Sequence, residues 1–251
     1  MVDFKQYMRD NVLIKEKEVV QMNFGKNLQI LRKMTNMTQE ELAGRMNVSR
    51  QTISKWELGV VLPEVEKVVE LCDMFNCSID ELLRGNMDFS SEAYSDIKVV
   101  TVEPFRYISY TVISCEPEDD AIGHVEGWAK QLNMENPYII GWDFPEVSQE
   151  QRNVYHMRGY GAALVIGDKQ DTSDIDAKII SQKRQKYITL TLQEGLGGEF
   201  DIIPNAYKAL LMYMAINGIK EKHDSEIISC YEHEYYDKKG VKFMDIYIAI
   251  E

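Results

Sequence analysis

Apolar positions recur at helical spacing through the first third of the chain. From about residue 96 they alternate in short runs, so the pattern separates a helical part from a strand-rich part. In the helical part, Thr38 followed by Glu41 forms a capping box, which starts a helix at Thr38 with Leu42, Ala43 and Met46 as its buried stripe. Asn47 stands where the chain must turn sharply, and Asn tolerates the left-handed backbone conformation better than any residue except Gly. Ser49 then caps a second short helix. Further on, Pro63 suits the first turn of a fourth helix carrying Val65, Val68, Val69, Leu71 and Cys72, and Ser78 with Glu81 caps a last helix that ends near Arg84 and Gly85.

The helix after Ser49 has two chemically different sides. At 100° per residue, Arg50, Ser54, Gln51 and Lys55 share an arc of about 140°, with Thr52, Trp56 and Ile53 opposite. Arg pairs bidentately with the guanine edge, Gln with adenine, and Lys with guanine oxygen or nitrogen. The polar arc therefore suits the major groove, with Arg50, Gln51 and Lys55 as candidate base readers. An ordinary amphipathic hairpin accounts for the apolar stripe but not for this arc.

The stretch TQEELAGRMNVSRQTISKW, from Thr38 to Trp56, resembles the helix-turn-helix of the Cro and phage-repressor family, the xenobiotic-response-element type. The resemblance runs from about Phe24 to Leu83. It is carried by Ala43 at the close helix contact, by Val48, Ile53 and Trp56 in the core, and by WELGVVLP leading into the next helix. Asn47 departs from the Gly usual in that family. The likeness implies an all-α, five-helix domain that binds double-stranded DNA, with Gln39 and Ser49 near two helix starts contacting phosphates. One recognition helix covers only a few base pairs, so a two-fold homodimer on a palindromic site is expected.

The strand-rich part repeats itself. RYISYTV from Arg106 returns as KYITLTL from Lys186, and YIIGWDF from Tyr138 has a weaker echo in EIISCYE from Glu226. An amphipathic helix lies between each pair, with Ile122, Val125, Trp128 and Leu132 in the first and Tyr207, Leu210, Leu211 and Met214 in the second. Each half closes with a strand, YGAALVI from Tyr160 and MDIYIAI from Met244. The expected fold is thus multidomain, an all-α helix-turn-helix domain followed by an α+β domain of two βαββ repeats. The boundaries read as an N-terminal extension over 1–21, the helical domain over 22–84, a Ser-rich linker over 85–96 and the second domain over 97–251, with repeats at about 97–167 and 176–251.

This second part resembles the gyrase-inhibitor-like, or AraC effector-binding, small-molecule domain. VEPFRYISY, GWDFP, RGYGAALVI, IPNAYKALLMYM and YEHEYYD occur in the family's order, while the ending IAIE lacks the family's common proline. The likeness implies a cleft between the two halves where aromatic rings grip a ligand and a buried Glu faces it. Glu234 best matches that Glu, with Glu232 on the same strand face as the fallback, and Trp142, Tyr107 and Tyr160 are the aromatic candidates. A carboxylate in an aromatic pocket favours a cationic or amphipathic guest, so a small, cationic aromatic effector and multidrug binding are expected. Some members of that family hydrolyse electrophilic small molecules, which would cast Glu234 with Tyr235 or Tyr236 as base and orienting donor.

Charge sharpens the division. The net charge of -13 is concentrated after residue 84, where 16 Lys and Arg face 28 Asp and Glu, whereas residues 22–84 carry 8 against 9. A nearly neutral reader implies modest nonspecific affinity and a need for linked half-sites. Cys72, Cys77, Cys115 and Cys230 show no metal or redox spacing and read as reduced, mostly buried thiols. The scattered His124, His156, His223 and His233 mark no catalytic or metal site. No cofactor, no membrane span and no enzyme activity are expected, and the protein reads as cytoplasmic. Two rivals stand beside the ligand-responsive regulator. One is a hydrolase or sequestering protein with autoregulatory DNA binding, and the other is a constitutive DNA binder whose acidic domain recruits a protein.

Overall fold

The structure, a computed structural model, describes residues 23–85, 87, 94–193 and 202–251. The expected N-terminal extension and most of the expected linker lie outside the described residues. The chain forms two compact units, an all-α unit followed by an α+β unit.

The first unit holds α1 (Phe24–Met34), α2 (Gln39–Met46), α3 (Arg50–Glu57), α4 (Val65–Phe75) and α5 (Ile79–Arg84). The capping signals set the helix starts. Thr38 Oγ1 accepts from the Glu41 amide at 3.2 Å while the Thr38 amide donates to Glu41 at 2.7 Å, and Ser78 and Glu81 repeat the exchange ahead of α5. Asn47 ends α2 with φ 52°, and Ser49 caps α3 by accepting from the Thr52 amide. The core gathers Leu28 and Leu31 of α1, Leu42 and Met46 of α2, Ile53 and Trp56 of α3, Leu71 and Phe75 of α4, and Leu82 of α5. Buried Asn27 donates to the carbonyls of Leu82 and Gly85, satisfying the end of α5 from α1. The fourth helix begins later than expected: Glu64 is its N-cap and Pro63 lies outside it. Val65 and Val69 face solvent, while Val68, Leu71, Cys72 and Phe75 form its buried stripe.

The second unit contains one eight-stranded antiparallel sheet. Its strands are β1 (Lys98–Val102), β2 (Phe105–Ser114), β3 (Tyr138–Asp143), β4 (Arg158–Ile166), β5 (Ile180–Gln182), β6 (Gln185–Gln193), β7 (Cys230–Tyr236) and β8 (Lys242–Ala249), in spatial order β1-β6-β8-β7-β3-β4-β2-β5. Among the described residues the unit also holds helices α6 (Pro117–Gln131), α7 (Gln149–Asn153) and, as far as Met214, α8 (Ile202–Asn217). The order has the symmetry of a duplication, because β2, β3 and β4 occupy the places that β6, β7 and β8 occupy in the other half. Two edge strands, β1 and β5, go beyond the expected repeat. Each precedes one half in sequence but pairs with the other, β1 with β6 and β5 with β2. β7 starts at Cys230, four residues after the expected strand, because the turn ahead of it is held by Asp224 accepting from the Glu226 and Ile227 amides through its side chain and carbonyl.

The halves meet where Gly141 of β3 pairs with Glu232 of β7. Alternation along the strands then sorts the side chains to two faces. On one face Ile108, Tyr160, Ala162 and Leu164 pack against Ala121, Val125 and Ala129 of α6. The other carries Tyr107, Ile140, Ala163, Tyr187 and Tyr231 as a second cluster. The helix stripes are rotated slightly from expectation. Small Ala121 and Ala129 lead in α6, and in α8 Ala206, Ala209, Leu210 and Met214 are buried whereas Leu211 is exposed.

Glycine spacing between α1 and α3 gives a stability test. A Cβ at Gly25 would meet the Glu57 carbonyl oxygen at 2.5 Å and that of Trp56 at 2.7 Å, backbone that cannot move aside, whereas one at Gly44 of α2 meets nothing within 4 Å. Gly25→Ala should therefore destabilise the protein by about 1–3 kcal/mol, and Gly44→Ala should stabilise it by about 0.5–1 kcal/mol, in urea unfolding.

Candidate functional site

The first unit presents a shallow concavity of about 330 Å³ lined by Gln39, Arg50, Gln51, Ser54 and Lys55. It forms because α3 turns its apolar side inward, with Ile53 and Trp56 buried, and leaves Arg50, Gln51 and Lys55 exposed. One buried carboxylate holds this surface together. Glu57 accepts from Arg32 Nε at 2.6 Å and Nη2 at 3.1 Å, and also from Gln39 Nε2 at 2.9 Å. Arg32 in turn donates to the Met37 carbonyl, so α1, the start of α2 and the end of α3 are tied at one point. Gln39 is thereby fixed beside the first turn of α2, whose free amides favour an anion. The Ser49 hydroxyl lies outside the concavity's lining. It is engaged with Thr52, accepting from that residue's amide at 3.1 Å and sharing a 2.9 Å bond with its hydroxyl.

In the second unit, polar groups converge at the seam between the halves. Glu232 of β7 is half-buried and accepts from the Tyr207 hydroxyl of α8 at 2.7 Å, and Cys230 lies 3.6 Å from that same hydroxyl. Desolvation pushes the Glu232 carboxyl above its usual range, opposed by the Tyr207 bond and reinforced by Glu118 of α6, Asp143 of β3 and Glu234. Burial likewise raises Glu118, with Glu234 adding to the effect. Tyr160 reaches the same place because Gly141 has no side chain: a Cβ there would collide with the Tyr160 hydroxyl. Burial and then Glu232 keep the Tyr160 phenol neutral. Aromatic rings, a desolvated carboxylate and an excess of negative charge therefore share one site, a combination that attracts cations.

The candidate ligand residues are divided by the sheet. Tyr160, Glu232 and Glu234 face the helix side. Trp142, packed over Gly161, and buried Tyr107 belong to the opposite face. Glu234 is ion-paired with Lys242 at 2.9 Å, whereas Glu232 has a phenol partner. Tyr235 lies across the sheet from Glu234, and Tyr236 is exposed. Sequence reasoning named neither Glu118 nor Asp143, and it read Tyr207 only as helix core. The early charge run EDD of α6 carries no signal that sets Glu118 apart, while the offset of Tyr207 from the Ala206–Leu210 stripe could have suggested a partner on the strands.

Among the described residues no group of His, Cys, Asp and Glu is arranged to hold a metal. All four cysteines are free, but the expected mostly buried set is not found: only Cys72 is buried, Cys77 and Cys230 are half-buried and Cys115 is exposed. No described helix is long and apolar enough to cross a membrane.

Comparison with known proteins agrees with the first unit. Residues 28–82 match the Helix-turn-helix family. The chain is 47% identical over 64 residues to the HTH-type transcriptional activator BcrR of Enterococcus faecalis, covering 26% of this chain and 31% of that protein. It is 36% identical over 61 residues to the cryptic phage CTXphi transcriptional repressor RstR of Vibrio cholerae, covering 24% and 54%. The chain thus spans about a third to a little over half the length of these relatives. Among solved structures, it is similar to the P22 c2 repressor in complex with a synthetic operator (32% identity, 25% of this chain, 96% of that chain, TM-score 0.24). It is also similar to the EcmrR C-terminal domain (13% identity, 63% of this chain, 98% of that chain, TM-score 0.44).

The raised Glu232 carboxyl has a consequence for stability. In the window above the usual carboxylate range and below its folded value, the folded state holds a proton that the unfolded state has released, so stability falls as pH rises through it. Glu232→Gln removes that cost while keeping an acceptor for Tyr207. The variant should melt above the unmodified protein at neutral pH, and the gain should vanish below the usual carboxylate range. A melting-temperature difference that is the same at both pH values would contradict the assignment.

Proposed function

We propose that the protein is a ligand-responsive transcriptional regulator whose first unit reads operator DNA and whose second unit senses a small, cationic aromatic molecule. The observation that carries the reading is the exposed arc of Arg50, Gln51 and Lys55 on the second helix of a helix-turn-helix, beside a Gln39 held at a helix start. Relatives named as a transcriptional activator and a transcriptional repressor support gene regulation as the class of function. Arg50, Gln51 and Lys55 act as base readers, and Gln39, Ser49 and the first amides of α2 and α3 meet phosphates. The nearly neutral first unit needs two copies for firm binding, so the regulator acts as a homodimer on a palindrome with half-sites about 34 Å apart or a multiple of that.

For the sensing half, we infer that Glu232 rather than Glu234 faces the ligand. Glu234 already has Lys242, whereas Glu232 is desolvated, held by Tyr207 and adjacent to the Tyr160 ring. A carboxylate so placed is relieved by a cation far more than by a neutral guest. A second reading rests on the same pair, since a carboxylate with a raised pKa beside a phenol suits a general base and an orienting donor. Turnover of the bound compound would select it.

Gln51→Ala should weaken specific binding by about 1–3 kcal/mol and relax one base position, whereas Gln39→Ala should weaken all sequences alike. Operator selection from a random library reads both effects, and an unchanged logo and affinity for Gln51→Ala would remove α3 as the reader. Sedimentation of the saturated complex should give two chains per site. For the ligand, Glu232→Gln should cost at least tenfold in calorimetric affinity for benzyltrimethylammonium and little for a neutral aromatic of the same size. Glu234→Gln should change both slightly, and the reverse pattern would place the ligand at Glu234.

A further inference from the structure

The end of the Ser-rich linker is tied to the helix that serves the cleft. Among the described residues of the second unit Tyr94 comes first in sequence, and it forms an antiparallel bridge with Leu192 of β6. Beside it the Ser95 amide donates to the Thr191 carbonyl at 2.8 Å, and the Thr191 amide donates to the Ser95 hydroxyl at 2.8 Å. This pairing prolongs the sheet edge formed by β1, but out of register. Four steps along the chain separate Tyr94 from Lys98, whereas three separate their partners Leu192 and Thr189. One extra residue therefore stands on the linker side, as in a β-bulge. The ladder is interrupted there, so the Tyr94 end can detach without opening β1.

The Tyr94 hydroxyl donates to the Ile202 carbonyl at 2.8 Å, in the first turn of α8, and this bond is partly buried. Tyr207 follows five residues later on the same helix and donates to Glu232 at 2.7 Å. Five residues span about 7.5 Å along a helix axis, and a helix this short moves as a unit. The bond that holds the linker end and the bond that holds the cleft carboxylate thus act on two points of one rigid element.

We propose that Tyr94 is a latch between the cleft and the linker, released when a cation fills the cleft. The inference rests on the sensing role proposed above for Glu232. A cation seated on Glu232 competes with the Tyr207 hydroxyl for the carboxylate oxygens, and the resulting shift of α8 is felt at Ile202. The Tyr94–Ile202 bond then opens and the chain leading to the first unit is freed at its bulged end. Binding energy at the cleft is in this way spent partly on opening a bond outside it. The net worth of one hydrogen bond is about fivefold in an equilibrium constant. Linkage makes the effect reciprocal: a protein that lacks the latch bond binds the cation more tightly, because it has less to open.

Tyr94→Phe tests this in the full chain, since it removes the hydroxyl and keeps the ring. Calorimetry with benzyltrimethylammonium should show the variant binding up to about fivefold more tightly than the unmodified protein, although Tyr94 is not among the groups gathered at Glu232. A residue that merely supports the fold would leave the affinity unchanged or lower it. Hydrogen exchange at the Ser95 amide should quicken on saturation with the cation in the unmodified protein, stay unchanged by it in Glu232→Gln, and be fast in Tyr94→Phe from the start. On a selected operator, Tyr94→Phe without the cation should shift the affinity in the direction in which the cation shifts the unmodified protein, and the cation's own effect should shrink. Cation affinity equal to or weaker than that of the unmodified protein, or an undiminished cation effect on the operator, would overturn the latch and leave the sensing site standing. Failure of both proteins to bind the cation would remove the sensing site and the latch together.

Discussion

Taking a carboxylate out of water without a cation is costly, and the second unit is arranged around a carboxylate in that condition at its seam. Glu232 sits where the two halves of the sheet join, opposite a glycine, and several neighbouring features serve that position. Gly141 makes room for Tyr160, the α8 helix brings Tyr207 into bonding distance, and Glu118, Asp143 and Glu234 add negative charge. A site that already bears a desolvated charge gains more from a cation than a solvated surface would. The edge strands help to keep the seam rigid, because β1 and β5 each bind the opposite half and so resist the halves parting.

The first unit solves a different problem with a similar economy. A DNA-reading helix must hold its exposed donors at a fixed angle, yet those donors are long and flexible. The Arg32–Glu57 pair, buried and bidentate, fixes the end of α3 to α1, and its spare lone pair holds Gln39 at the start of α2. Burial of such a pair costs desolvation, which the further hydrogen bonds, from Arg32 to the Met37 carbonyl and from Gln39 to Glu57, partly offset. The result is a fixed frame on which Arg50, Gln51 and Lys55 stay free.

Local signals in the sequence carried the first unit well. The Thr38–Glu41 and Ser78–Glu81 boxes, the left-handed Asn47 and the two-sided helix from Arg50 are each decided by a few adjacent residues. Pro63 misled because a proline near a helix start fits several positions, and here Glu64 takes the cap. The repeated pattern of the second unit was legible from alternation, but β5 is three residues long and β1 pairs across the duplication, so neither has a local signature. The candidate ligand residues show the limit most clearly. Trp142 and Tyr107 have the same strand spacing as Tyr160, yet the pleat sends them to the other face, and only the pairing register tells which. Likewise nothing in YEHEYYD distinguishes Glu232 from Glu234 before Tyr207 and Lys242 are placed.

A ligand-responsive regulator of the proposed kind requires that filling the Glu232 cleft change how the first unit holds DNA. The direct measurement is the dissociation constant for an operator obtained by selection, with and without saturating benzyltrimethylammonium, for the unmodified protein and for Glu232→Gln. A coupling between two sites in one protein is typically about 5- to 150-fold in affinity. A shift in that range is expected for the unmodified protein and none for Glu232→Gln. An operator affinity that stays constant while calorimetry shows the cleft filled would contradict it.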